Sequence, residues 1–292
     1  MAIQLLGSEV TAAMNARLRA RAAALRERGV VPRLAIIRCG EKPSDLSYEK
    51  SAEARAALIG VEVVRFVLPE DVSKAALLEQ IDAVNADSAI HGCLLFRPLP
   101  EQLRDDQNEI CNRLSAAKDV DCMTDLSFCG VFTGKKQGFV PCTAQACMEI
   151  LDHYGIGCRG KNAVVIGRSL VVGKPAAMML MERDATVTVC HTQTVHLAEI
   201  ARRADILISA AGALRILTRD FVHPGQVVID VSINWDPDKR NARGTKGAIA
   251  GDAVYEEVEP VVAAITPVPG GVGGVTTSVL IGHVVEAAER AL

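Results

Sequence analysis

Apolar and polar positions along this chain predict two successive series of short strands and amphipathic helices. The first series opens with a helix over about Ser8–Glu27. The elements predicted after it are strand Leu34–Arg38, a polar loop Gly40–Asp45, a helix through Leu58 stopped by Gly60, strand Val61–Val67, helix Ser73–Asn85 and strand Ile90–Phe96. Strands that alternate with helices of about 10 to 15 residues are typical of crossover units and a parallel sheet.

A second series follows Pro141 and ends with helix Thr277–Ala291, which is long enough to return to the first domain. Its other predicted elements are helices Thr143–Tyr154, Gly173–Arg183 and His196–Arg203, and strands Ala163–Gly167, Thr186–Cys190, Ile206–Ser209 and Val227–Val231. We expect an α/β protein with two domains, each with a mainly parallel sheet flanked by helices, and a Rossmann-like C-terminal domain. The predicted domains are residues 1–140 plus 275–292 and residues 141–274, with linkers at 130–141 and 267–276.

Composition narrows the class of protein. With 292 residues, of which 49% are hydrophobic, the chain can bury two modest cores. A net charge of −3 without a basic stripe argues against a nucleic-acid partner. The start lacks the features of a signal peptide, and no apolar run reaches the roughly 18 residues that span a membrane. We therefore expect a cytoplasmic protein without a membrane partner.

Cysteine and histidine give no support for a metal site. The nine cysteines are an odd number and include no C-x-x-C pair, and the six histidines are dispersed. We expect most of the cysteines to be small buried apolar residues.

A glycine turn, Gly167–Gly173, follows a predicted strand directly and leads into a helix. This arrangement is typical of dinucleotide binding, because the free N–H groups of the helix N-terminus face a phosphate. The spacing departs from G-x-G-x-x-G, since Ser169 stands at the second glycine position and the last glycine comes one residue late. A tight turn without a ligand is the alternative.

The end of the next strand bears on the choice of dinucleotide. Cys190–Thr194 contains no acidic residue to hold the ribose diol of NAD. With Arg168 available to a 2′-phosphate, NADP is favoured and NAD remains possible. The alternative for Arg168 is a solvated loop charge.

Three further features suggest a ligand site. The segment 267–276 holds two prolines and four glycines, which predicts a shaped loop where bare backbone approaches a ligand. Tyr48 shares a helix face with Ala52 and Arg55, although a lone tyrosine is more often a packing residue. Asp121 ends the charged group Lys118–Asp121, which is either a solvated turn or a carboxylate that accepts ring N–H and amino donors.

With these residues in view, the chain resembles the methylenetetrahydrofolate dehydrogenase/methenyltetrahydrofolate cyclohydrolase family over essentially its whole length. The matching motifs are Lys118-Asp-Val-Asp121, Pro141-Cys-Thr143, Gly167-Arg-Ser-x-x-Val-Gly-x-Pro175, Asp230-Val-x-Ile-Asn234, Gly251-Asp252 and Ile265-Thr-Pro-Val-Pro-Gly-Gly-Val-Gly273. The resemblance implies a folate substrate, a nicotinamide cofactor and a homodimer. It also implies that the glycine-rich loop wraps the cleft where pterin and nicotinamide meet.

The resemblance also implies roles for individual residues. Tyr48 would stack on the folate and Asp121 would hydrogen-bond the pterin, and we assign both as catalytic. The other substrate residues implied are Leu95, Phe96, Pro269, Gly270, Gly271, Val272 and Thr276. The cofactor residues implied are Gly167, Arg168, Ser169, Gly173, Thr192 and Ile233.

Two departures from the family pattern concern the hydrolytic step. Ala52 stands where bifunctional members have a lysine, and Phe96 stands where a V-Q-L-P-L-P segment has the supporting glutamine. Hydride transfer needs aligned rings and no proton movement, whereas hydrolysis needs a positioned base. We therefore expect a dehydrogenase whose cyclohydrolase activity is lost or strongly reduced. The alternatives are a bifunctional enzyme that uses Arg55 or a water chain, and a folate- or nucleotide-binding protein without turnover.

Overall fold

The structure is a computed structural model that describes residues 2–240 and 244–292. Its strands are β1 (Ile3–Gln4), β2 (Arg33–Cys39), β3 (Glu62–Leu68), β4 (Gly92–Leu95), β5 (Asn162–Ile166), β6 (Thr186–Cys190), β7 (Ile206–Ser209), β8 (Val227–Asp230), β9 (Asn234–Arg240), β10 (Lys246–Ala250) and β11 (Ala264–Ile265). Its α-helices are α1 (Gly7–Glu27), α2 (Pro43–Ile59), α3 (Lys74–Ala86), α4 (Gln107–Asn112), α5 (Asp125–Thr133), α6 (Cys142–His153), α7 (Gly173–Met181), α8 (Leu197–Ala201), α9 (Tyr255–Val258) and α10 (Val272–Arg290).

The chain divides into two compact units. One, here called the N-terminal unit, comprises Ala12–Cys142 and Thr277–Leu292, and the other, the C-terminal unit, comprises Met1–Thr11 and Thr143–Thr276. The division differs from the predicted boundaries at the start of the chain, because β1 pairs in parallel with β11 at the edge of the C-terminal sheet. A strand of two residues has no periodicity from which this pairing could be predicted.

The N-terminal unit is built on a three-stranded parallel sheet in the order β3-β2-β4. Its hydrophobic core includes Ile37, Leu77, Leu95 and Leu99, all at most 2% exposed. A buried ion pair ties the sheet to α2, since Arg38 Nε on β2 lies 2.9 Å from Glu49 Oε2 on the helix. A buried charge left without its partner is strongly destabilising, so the contact fixes which face of α2 lies on the sheet.

The C-terminal unit contains a six-stranded parallel sheet in the order β1-β11-β8-β7-β5-β6. From β5 the chain builds outward to β6 on one side and to β7 and β8 on the other. The strand order therefore reverses between β5 and β7, and doubly wound sheets bind ligands outside the carboxyl ends of the strands at such a switch point. The predicted α/β class and the Rossmann-like C-terminal domain are confirmed.

Local signals in the sequence fix several element ends. Ser73 caps α3, and its hydroxyl oxygen accepts a hydrogen bond of 3.2 Å from the Ala76 N–H. Gly60 ends α2 in the left-handed conformation at φ 95°. The expectation for the cysteines is also confirmed, because all nine are free thiols and only Cys129 is exposed.

The structure corrects the prediction for the glycine-rich loop and finds elements that the pattern missed. Helix α10 begins at Val272, before the predicted start at Thr277, so Gly273 and Gly274 lie in its first turn. The antiparallel β9–β10 hairpin and helix α5, which covers part of the predicted linker, were not predicted. No helix among residues 2–240 and 244–292 is long and apolar enough to cross a membrane.

Candidate active site

The glycine turn after β5 is packed too closely for any side chain at its first and last positions. Gly167 has φ 125°, and a Cβ built on it would lie 2.9 Å from the carbonyl carbon of Ala210, just beyond β7. A Cβ on Gly173 would lie 2.8 Å from the backbone N of Arg168. The turn therefore lies at the switch point between β5 and β7, with its backbone folded against the first turn of α7.

Ser169 takes the place of the second glycine without filling the turn. Its hydroxyl oxygen accepts a hydrogen bond of 3.1 Å from the N–H of Val172, at the start of α7. Arg168 and Ser169 are both exposed, as are the neighbouring Leu170 and Val171. A glycine cradle that a Cβ would fill, beside a helix N-terminus and an exposed arginine, fits the diphosphate of a dinucleotide.

Two of the predicted cofactor residues, Arg168 and Thr192, follow the ends of two neighbouring strands, β5 and β6. Ile166 and Cys190 are partners in the parallel β5–β6 ladder, so Arg168 and Thr192 follow at the same edge of the sheet. Thr192 is exposed, and the backbone N of His191 donates to Thr194 Oγ at 2.8 Å, which shapes the turn. No acidic side chain occurs in this turn, which suits a phosphate better than a ribose diol.

Asp252 organises the loops at the carboxyl edge of this sheet. It is fully buried, and its carboxylate accepts hydrogen bonds from five donors in two segments of the chain, 209–213 and 232–234. The donors are Ser209 Oγ, Ala211 N, Ala213 N, Ser232 Oγ and Asn234 Nδ2, at 2.8 to 3.1 Å. The neighbouring Asp230 is also buried, and burial raises the pKa of its carboxyl group to about 6 although three backbone N–H groups oppose the shift.

One cavity of about 240 Å³ brings together predicted cofactor and substrate residues of the C-terminal unit. Ile233, 67% exposed, lines it with Pro269, Gly270, Gly271 and Val272, and the exposed Gly273 and Gly274 complete that wall. Gly270 has φ 114°, a conformation that favours glycine. Thr276 is less available than predicted, because it is buried and its hydroxyl donates to Val272 O at 3.3 Å.

The N-terminal unit brings Tyr48, Phe96 and Asp121 together. The rings of Tyr48 and Phe96 meet edge to face with centroids 6.0 Å apart. Burial first, and then electrostatic interactions with Cys142 and Asp121, raise the pKa of Tyr48 well above its usual value. The phenol therefore keeps its proton at neutral pH and can donate a hydrogen bond, while its ring is available for stacking.

The helix face of Tyr48 carries no base. Ala52 is fully buried, whereas Lys50 is exposed on another face. Arg55 Nη1 donates to Ser278 Oγ on α10 at 2.8 Å, and that hydroxyl donates onward to Asn15. Burial lowers the pKa of Arg55, but an arginine does not lose its proton in proteins, so it cannot act as a general base.

Asp121 is paired with a residue that sequence reasoning missed. Arg97 Nη2 lies 3.1 Å from Asp121 Oδ2, with side chains 23% and 26% exposed. Burial raises the pKa of Asp121, and Arg97 and the Cys142 thiol oppose that shift. Leu95, by contrast, lies in the hydrophobic core at 2% exposure, which leaves no open side-chain surface for the predicted substrate contact. The sequence feature that could have indicated Arg97 is a charged residue between a buried strand and Pro98.

A doubly wound parallel sheet with a glycine cradle at its switch point, in a chain that also has a second α/β unit, defines a two-unit dinucleotide-binding protein. The catalytic-domain model of the tetrahydrofolate dehydrogenase/cyclohydrolases matches residues 5–121, and the model of their NAD(P)-binding domain matches residues 141–292. The chain belongs to the tetrahydrofolate dehydrogenase/cyclohydrolase family, and the predicted family is confirmed.

Relatives agree with this assignment over their full length. The chain is 45% identical over 289 residues to the bifunctional protein FolD of Carboxydothermus hydrogenoformans, covering 99% of this chain and 98% of the relative. The crystal structure of a bifunctional FolD from Campylobacter jejuni matches with a TM-score of 0.93 and 35% identity, covering 100% of both chains. The FolD of Trypanosoma brucei, solved with NADP and an inhibitor, matches with a TM-score of 0.90 and 32% identity, covering 99% of this chain and 98% of the other.

Proposed function

We propose that this protein oxidises 5,10-methylenetetrahydrofolate to 5,10-methenyltetrahydrofolate, with NADP as the preferred hydride acceptor, as a step of one-carbon metabolism. The observation that carries the proposal is the cavity lined by Ile233 and the 269–274 backbone, because it lies in the unit that holds the glycine cradle. The proposed domain roles follow the family models, with folate chemistry in the N-terminal unit and the cofactor in the C-terminal unit.

Hydride transfer requires chiefly that the protein align the folate with the nicotinamide ring. The nicotinamide, when bound, accepts a hydride from the methylene bridge, and the charge left behind spreads over two folate nitrogens. Tyr48 stacks on the folate, and Asp121 accepts hydrogen bonds from the pterin. The exposed backbone of Gly273 and Gly274 allows close approach of a flat ring without a clash. Holding two rings in a reactive geometry supplies much of the rate enhancement of such a transfer.

Support for NADP over NAD comes from the strand ends. Arg168 is exposed in the glycine turn, and the parallel β5–β6 ladder ends beside a turn without an acid. The solved Trypanosoma relative contains NADP. An arginine pairs with a phosphate through its planar fork, whereas a ribose diol calls for a carboxylate acceptor.

The observations that bear on the cyclohydrolase step point to two different outcomes. The relatives are bifunctional FolD proteins, which favours the bifunctional alternative over loss of hydrolysis. The side chains favour loss, because Ala52 and Phe96 offer no proton acceptor and Arg55 is held by Ser278. Loss or strong reduction of hydrolysis stays a prediction, as do the homodimer and the site residues.

One assay separates the candidate functions. Purified protein is mixed with methylenetetrahydrofolate and either NADP⁺ or NAD⁺, and reduced cofactor and methenyl product are followed by absorbance. The proposal expects NADPH to form and the methenyl product to accumulate. Consumption of methenyltetrahydrofolate well above its spontaneous rate would establish the bifunctional alternative. Tight tetrahydrofolate binding without cofactor reduction would establish a binding protein without turnover.

A further inference from the structure

The ion pair of Arg97 and Asp121 differs from the surface ion pairs of this unit. The Arg97 side chain is 23% exposed, whereas that of Arg113, which pairs with Asp82, is 56% exposed. Within residues 2–240 and 244–292, the hydrogen bond that Arg97 makes is to Asp121. A partly buried guanidinium with most of its N–H groups uncommitted lies beside a residue of the proposed folate subsite.

Arg97 is not needed to complete the core. Leu95 and Leu99 on either side of it are 2% and 0% exposed, so the local chain already anchors itself by apolar contacts. The family segment quoted above, V-Q-L-P-L-P, has a leucine at the position of Arg97. Partial burial of a guanidinium there costs free energy of desolvation unless a carboxylate compensates it.

Several groups around Asp121 act on the pKa of its carboxyl group, and Arg97 is the cation among them. The other groups are acidic or neutral and come from several elements around the carboxyl group. They are Asp119, Cys122, Cys142 and Tyr48. Burial and Asp119 raise the pKa of Asp121, and the Cys142 thiol opposes them only as a weak donor. The positive charge of Arg97 is thus the largest of the contributions that oppose the rise in the pKa of Asp121.

We propose that Arg97 is a positioning residue of the folate subsite, whose ion pair holds Asp121 ionised and fixes its orientation toward the pterin. The inference rests on the proposed function, in which Asp121 accepts the ring N–H and amino donors of the pterin. An ionised carboxylate only accepts hydrogen bonds and can serve both donors, whereas a protonated carboxyl group must direct its own O–H elsewhere. Arg97 acts on the substrate through Asp121.

The test compares two substitutions of similar length that differ in charge, Arg97→Met and Arg97→Lys. The KM for methylenetetrahydrofolate and kcat are measured against pH. We expect Arg97→Met to raise KM by up to about tenfold for each unit by which the pKa of Asp121 rises, with the full effect on the acidic side of that pKa and kcat little changed. Without the cation Asp121 takes up its proton at higher pH, so the rise of KM on acidification begins at higher pH. Arg97→Lys is expected to restore most of both properties.

A double substitution separates action through Asp121 from a general structural role. In the Asp121→Asn background, Arg97→Met is expected to add little to the loss of folate affinity. Arg113→Met breaks an ion pair of the same unit away from the subsite and is expected to leave KM and its pH profile unchanged. Equal behaviour of Arg97→Met and Arg97→Lys, or additive effects in the double variant, would overturn the proposal.

Binding measurements keep this test independent of turnover. Calorimetric titration of the same variants with tetrahydrofolate, at several pH values, measures the affinity for folate directly. This affinity is expected to depend on Arg97 in the same way as KM. A wild-type protein that reduces no cofactor contradicts the proposed function alone. A wild-type protein that is active, with an affinity for folate that does not respond to Arg97→Met, contradicts this inference alone.

Discussion

The ring of Phe96 stands edge-on to the ring of Tyr48, with planes at 88° and centroids 6.0 Å apart. Phe96 occupies the position of the glutamine that supports the hydrolytic lysine in bifunctional members of the family. The contact is apolar on the Phe96 side, so it gives an added lysine at position 52 no hydrogen-bonding partner. The two positions are therefore best altered together.

Ala52→Lys combined with Phe96→Gln is expected to raise the rate of methenyltetrahydrofolate hydrolysis by about 10²-fold, the typical contribution of a positioned proton-transfer group. The measurement is the decay of methenyl absorbance with and without protein. Ala57→Lys, which adds a lysine at an exposed position of the same helix, is the matched control. Rapid hydrolysis by the parent protein, unchanged in the double variant, would contradict this expectation and support the bifunctional alternative.

Arg168→Ala is expected to lower kcat/KM for NADP⁺ about tenfold or more and to leave that for NAD⁺ almost unchanged. The reason is that a hydrogen bond between charged groups contributes about 1.5 to 3 kcal/mol. Arg159→Ala, at a side chain 89% exposed in the same unit, is the control for loss of a surface charge. Equal losses with both cofactors would show that Arg168 does not read the 2′-phosphate.

Gly173→Ala is expected to weaken nucleotide binding strongly and to destabilise the C-terminal unit by about 1 to 3 kcal/mol, as overpacking does. Its Cβ would lie 2.8 Å from the backbone N of Arg168, so the turn has to open. Calorimetry with NADP⁺ and urea unfolding measure the two effects. Gly157→Ala, where no atom lies within 4 Å of the added Cβ, is expected to change neither, and full nucleotide affinity in Gly173→Ala would refute the assignment of the cradle.

Asp230 makes stability depend on pH in a direction opposite to that of an ordinary salt-bridged carboxylate. Burial raises its pKa from 3.8 to about 6, so the folded protein holds this proton more tightly than the unfolded chain. The contribution to the free energy of unfolding is fully present below about pH 4 and falls as pH rises through about 6, by about 3 kcal/mol.

Urea unfolding between pH 4 and 7 checks this expectation through the fluorescence of Trp235, the single tryptophan of the chain. The stability difference between wild type and Asp230→Asn is expected to shift in favour of the asparagine variant as pH rises, because asparagine does not titrate. In the wild type, Arg215 lowers the pKa of Asp236, so the stability difference for Asp236→Asn is expected to shift in the opposite direction, at lower pH. A pH-independent difference for Asp230→Asn would contradict the expectation.

The amino-acid sequence by itself determined the features that depend on near neighbours. The alternation of strands and helices, the serine cap of α3, the stop at Gly60 and the glycine turn at Gly167–Gly173 all follow from contacts within a few residues. The motifs determined the family in the same way, since each is a local run of residues. Backbone preferences and capping hydrogen bonds act over about one helical turn, so they can be read from a short window.

Tertiary structure decided which distant residues meet. The pairing of β1 with β11, the placement of Leu95 in the core and the ion pair of Arg97 with Asp121 depend on strand order and helix packing. The start of α10 within the glycine-rich segment was decided similarly, because propensity alone favours a loop there. Burial and ion pairing are gained only once the topology is complete, and no local window of sequence contains the partner whose contact stabilises them.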